Sequence, residues 1–118
     1  MSCLFNSLGA HTGESASVVR SKIVEFMQTN PALGSDISTT NAIEWESGKS
    51  VNDYLQHMKQ PSTWGGAIEI SAFVQLYKTN VCVHNVRDTN TRLMRFVGDS
   101  SRCVSISWNG SHFEPILK

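Results

Sequence analysis

Apolar residues in the first two thirds of the chain recur at helical spacing. Leu4, Phe5 and Leu8 supply the core side of Cys3-Leu4-Phe5-Asn6-Ser7-Leu8, which reads as a short helix starting at Cys3 and stopped by Gly9. Val19, Ile23, Phe26 and Met27 mark a second helix, capped by Ser15 or Ser17 and ended by Asn30-Pro31. Residues 32–49 are mostly small and polar, with Ile37, Ile43 and Trp45 as isolated anchors, so a loop with room for one short helix is expected. Ser50-Val51-Asn52-Asp53 has capping-box spacing, and Val51, Tyr54, Leu55 and Met58 define the buried face of a helix ending near Pro61. Residues 62–66 read as a turn. Residues 67–77 are apolar almost all round, as a central helix packed on several sides requires.

The period then changes. Short β-rich runs cover 81–84, 92–97, 103–108 and 112–117, and helices followed by strands imply an α+β fold. Asn109-Gly110 between two alternating runs signals a hairpin. With a two-residue loop, Trp108 faces Ser111, Ser107 faces His112, and Ser105 faces Glu114. Val104, Ile106, Trp108 and Phe113 then point to the core, while Ser105, Ser107, His112 and Glu114 point away.

The chain has 118 residues, 40% of them hydrophobic and 17% charged, which fits one folded domain without linker or repeat. Ten basic residues balance ten acidic ones, which argues against a nucleic-acid or anionic-membrane binder. No apolar run approaches the ~20 residues that span a bilayer. Cys3, Cys82 and Cys103 fit neither a disulfide framework nor a paired-cysteine zinc site, so a reducing compartment is expected. No cluster of ligands has metal spacing, and no cofactor is implied.

Candidate chemistry lies in the hairpin and the first helix. Residues two apart on a strand are about 6.6 to 6.8 Å apart at Cα, so Glu114 can reach His112 and orient it as a base. Alone, the pair reads first as an ordinary solvated His-Glu pair beside a turn. Cys3 strengthens the case, because a thiol at a helix N-terminus is held toward its reactive anion by the dipole. Cys103 lies roughly 13 Å along the strand, too far for direct proton transfer, and Cys82 sits in an apolar strand where it should be inert. His11, His57 and His84 read as surface or core residues, and Arg20, Arg87, Arg92 and Arg95 as solvated by default.

These residues bring a family into view. Cys3 to Leu8 resembles the nucleophile helix of the ovarian-tumour (OTU) cysteine proteases. Pro61-Ser62-Thr63-Trp64-Gly65-Gly66 with Glu69 and Ala72 resembles their Trp-Gly turn and central helix, and residues 106–115 resemble their histidine hairpin. The resemblance implies a single OTU-like, papain-like domain over 1–118, with helices packed on a small, mostly antiparallel sheet. It implies a deubiquitinase that hydrolyses isopeptide or peptide bonds after ubiquitin or a ubiquitin-like modifier. Cys3 would be the nucleophile, His112 the base and Glu114 its orienting residue, where many members place Asp or Asn. Trp64, Gly65, Trp108 and Asn109 would bind substrate, and Glu69 would brace a loop through backbone N–H groups.

The compact length is similar to viral members, so a cytoplasmic monomer, in host cytoplasm if viral, is expected. Only Met1 and Ser2 precede Cys3, where the family has an Asp-Gly-x stretch that helps build the oxyanion hole. Either the domain is N-terminally truncated, or it begins inside a longer frame, or the hole is completed differently. Two other readings stay open: an OTU-fold module that binds ubiquitin without cleaving it, and a thiol hydrolase of other amides or esters.

Overall fold

Gly9, expected to stop the first helix, lies inside it. The computed structural model describes residues 3–29, 38–86, 93–98, 101–110 and 112–116, and α1 runs Cys3–Thr12. A Cβ on Gly9 would stand 2.3 Å from the Glu14 carbonyl oxygen, so the chain folds back here over a bare backbone. The stop is Gly13, at φ 76°, with its N–H donating to the Gly9 carbonyl.

The other helices follow their signals closely. Ser15, Ser38 and Ser50 each accept a backbone N–H and open α2 (Ala16–Gln28), α3 (Thr39–Ser47) and α4 (Val51–Met58). The short helix in the polar stretch is thus α3, closed by Gly48 at φ 71°. Ile43 anchors it in the core, whereas Trp45 is 71% exposed and is no anchor. Asn30-Pro31 and Ile37 fall outside the described residues. The all-apolar helix is α5 (Ala67–Tyr77), which packs on α2 and on the sheet.

The sheet order is β2-β1-β3-β4, with β1 (Asn80–Asn85), β2 (Leu93–Phe96), β3 (Cys103–Trp108) and β4 (Phe113–Ile116). β1 pairs antiparallel with β2 and parallel with β3, and β3 pairs antiparallel with β4, so the sheet is mixed and mostly antiparallel. Val81, Val83 and Ile106 are fully buried and join Leu4, Phe5, Leu8, Ile23, Met27 and Phe73 in one core. Burying each such side chain is worth about 1.5–3 kcal/mol. α1 lies against β4 and β3.

The hairpin register differs from the two-residue expectation. Trp108 pairs with Phe113 and Ser107 with Glu114, a shift of two that keeps the faces but leaves Asn109, Gly110 and His112 outside the strands. The Asn109 side chain causes this: its Oδ1 accepts the His112 N–H at 2.8 Å, while the Asn109 N–H donates to the His112 carbonyl at 3.1 Å. Gly110 takes the positive φ, 102°. His112 is therefore a loop residue and not a strand residue.

Candidate active site

Cys3 is the first residue of α1 and is half-buried, and its carbonyl accepts the Ser7 hydroxyl at 2.8 Å. The positive end of the helix dipole thus meets the thiol. Directly against it runs the Trp64-Gly65 turn. A Cβ on Gly65 would come within 2.8 Å of Leu4 Cδ2 and 2.9 Å of Phe5 Cζ, so the turn touches the nucleophile helix through bare backbone. On its other side the Trp64 ring lies against the His112 ring, with centroids 6.1 Å apart and planes inclined by 31°. One turn therefore bridges the residues next to Cys3 and the histidine.

Glu114 does not join this group. It is exposed on β4 opposite Ser107, and no hydrogen bond or ion pair links it to His112 among the described residues. The reason is the register: His112 left the strand, so the two-apart geometry on which the pairing depended is gone. Asn109 holds the His112 backbone instead. Trp108 faces the core side, its ring 6.4 Å from that of Phe113, and packs there as a structural aromatic.

Beneath the turn is a buried polar layer. Glu69, 1% exposed, accepts the Gly66 N–H at 2.7 Å and the Tyr54 hydroxyl, which makes it the brace expected of it. Burial pushes its carboxyl up, opposed by the Tyr54 and Gly66 hydrogen bonds and by the charge of Arg20. The Tyr54 hydroxyl is also pushed up, by burial first and then by Glu69. Arg20, expected at the surface, is 4% exposed. Its Nη1 donates to the Met58 carbonyl at 2.7 Å, and its Nη2 to Thr63 at 2.8 Å and Pro61 at 3.3 Å. The signal was present in the sequence, since Arg20 falls one turn before Ile23 and Val24 on the buried stripe of α2.

The remaining cysteines are elsewhere. Cys82 projects from the sheet face opposite Val81 and Val83, and its Sγ lies 3.0 Å from that of Cys103. Partial burial and the contact with Cys82 push the Cys103 thiol up to about 11, far from the thiolate range. His11 lies in the last turn of α1, and its Nε2–H donates to the Ser105 carbonyl at 2.8 Å. Arg95 is exposed, and Arg87 and Arg92 lie outside the described residues. Among the described residues no group of three His, Cys, Asp or Glu could hold a metal ion, and no helix is long and apolar enough to cross a membrane.

A family model described as OTU-like cysteine protease matches residues 2–113. The chain belongs to the OTU-like cysteine protease family. Among curated OTU relatives it is 30% identical to the ubiquitin thioesterase OTU1 of Danio rerio, covering 99% of this chain and 38% of that protein. It thus spans a little over a third of that relative's length. An ovarian tumor (OTU) domain solved in complex with ubiquitin shares the fold, with a TM-score of 0.78 and 21% identity over 97% of this chain and 62% of that one. An OTU deubiquitinase from Wolbachia pipientis wMel is similar at a TM-score of 0.68 and 29% identity, over 99% of this chain and 82% of that one. The expected OTU-like, papain-like α+β domain is therefore the fold adopted.

Proposed function

We propose that this domain hydrolyses the isopeptide or peptide bond that follows the C-terminal tail of ubiquitin or a ubiquitin-like modifier. His112 takes the proton of Cys3, and the thiolate attacks the terminal glycine carbonyl carbon. The C–N bond then breaks as His112 returns the proton to the leaving lysine amine. Water, deprotonated by His112, splits the thioester, releasing the modifier's carboxylate and restoring the thiol. The helix N-terminus and the Cys3 backbone N–H support the oxyanion. Trp64 and Gly65 form one wall of the cleft, and Asn109 fixes the histidine loop.

The observation that carries this reading is the Trp64-Gly65 turn touching both the Leu4-Phe5 pair beside Cys3 and the His112 ring. An OTU domain solved in complex with ubiquitin and the OTU deubiquitinase from Wolbachia pipientis wMel support the choice of modifier. Free cysteines among the described residues suit a reducing, cytoplasmic setting. A ubiquitin probe with a C-terminal electrophile should label Cys3 and leave Cys3→Ala unlabelled. No labelling, even of a chain extended upstream of Met1 with an Asp-Gly loop, sinks the reading; retained ubiquitin binding would then favour the non-cleaving module.

A further inference from the structure

Between α4 and α5 the chain passes through 59–66 without regular structure, yet this stretch carries Trp64. Irregular backbone is a poor mount for a residue that must meet a histidine on another loop, unless something fixes it. Two buried side chains do so from opposite ends. Arg20 spreads its guanidinium over the carbonyls of Met58, Pro61 and Thr63, and Glu69 accepts the N–H of Gly66. Trp64 and Gly65 are the residues between these anchor points. The Arg20 Cζ also lies 4.3 Å above the Phe5 ring centroid, so the clamp rests on the nucleophile helix itself.

The geometry points to Arg20 as a positioning residue: it registers the Trp64 turn, and through it His112, against the helix that starts at Cys3. The inference rests on the proposed hydrolysis. Three carbonyls need a planar fork with several donors, which guanidinium has and ammonium lacks. Burying a cation here is costly unless its donors are satisfied, and the three carbonyls satisfy them. A purely packing role would be met more cheaply by an apolar residue at this position of α2.

The test uses ubiquitin with a C-terminal aminocoumarin amide and the chain with Arg20→Met, Arg20→Lys and, as a control matched for loss of thermal stability, Val83→Ala in the core of β1. Rates are taken well below each variant's unfolding midpoint. Arg20→Met should lower kcat roughly 10- to 100-fold with KM little changed, because misplacement by about 1 Å has that effect. Arg20→Lys should recover part of the loss, and Val83→Ala should keep the wild-type kcat. A folded Arg20→Met with wild-type kcat, or an equal loss in Val83→Ala, overturns the inference while leaving the hydrolase reading intact. An inactive wild-type chain overturns both. Should Arg20→Met fail to fold, Gly65→Ala moves the same turn off Leu4 and Phe5 without touching Arg20. A folded Gly65→Ala with wild-type kcat would equally sink the inference.

Discussion

Trp64 and His112 meet across two loops, with ring centroids 6.1 Å apart and planes tilted by 31°. Trp64 is nevertheless 47% exposed, so it contacts the histidine from an open position. Such a contact fixes a ring without holding a proton, which leaves both imidazole nitrogens available. Trp64→Ala should therefore slow labelling of Cys3 by a ubiquitin electrophile by roughly tenfold or more, and Trp64→Phe should keep most of the rate. Equal rates for all three chains would show that the contact is incidental.

Asn109, and not Glu114, contacts His112. Asn109 bonds the His112 backbone, whereas Glu114 is exposed and makes no bond to it. An exposed carboxylate near a histidine is worth about 0–1 kcal/mol, so Glu114→Ala should stay within about fivefold of wild type. Asn109→Ala, which frees the loop, should cost more. Initial rates on ubiquitin aminocoumarin decide it, and a larger loss for Glu114→Ala would restore that residue to the site.

Gly9→Ala reverses a familiar rule. Within an exposed helix the change adds about 0.5–1 kcal/mol of stability. Here the added Cβ would lie 2.3 Å from the Glu14 carbonyl oxygen and 3.3 Å from Val19 Cγ2, both in the tight corner between α1 and α2. Overpacking of about 1–3 kcal/mol should win, and urea denaturation should show a net loss.

Glu14 locks the same corner through the Tyr77 hydroxyl at 2.7 Å and an ion pair with Lys22. Lys22 first and Tyr77 second hold its carboxyl below the ordinary 4.5. A depressed folded value stabilises above the unfolded one and fades as pH falls through the folded one. Glu14→Gln should accordingly be less stable than wild type near neutrality, with the two melting curves converging below about pH 4.5. A constant gap down to pH 2 would assign the effect to packing.

Much of this was legible in the chain because local signals and tertiary packing agree. Ser50 predicts α4 and caps it, and the apolar run at 67–77 predicts α5 and its burial. The positions of Cys3 and Trp64 were readable for the same reason, one at a helix start and the other in a turn. Glu114 was misplaced since a two-residue Asn-Gly loop and a four-residue one share their sequence, and only the Asn109 side chain selects between them. Arg20 stands on the buried stripe of α2 and so was legible as a buried position, whereas its partners, the carbonyls of 58, 61 and 63, leave no mark in a sequence. Trp45 failed in the opposite sense, being large and apolar with nothing above it.

The packing of α1 on β4 joins the first and the last described elements of the domain. Contacts of such high sequence separation demand that nearly the whole intervening chain be ordered before they are rewarded. The α1–β4 seam should therefore form late in folding and report on completion of the domain as a whole.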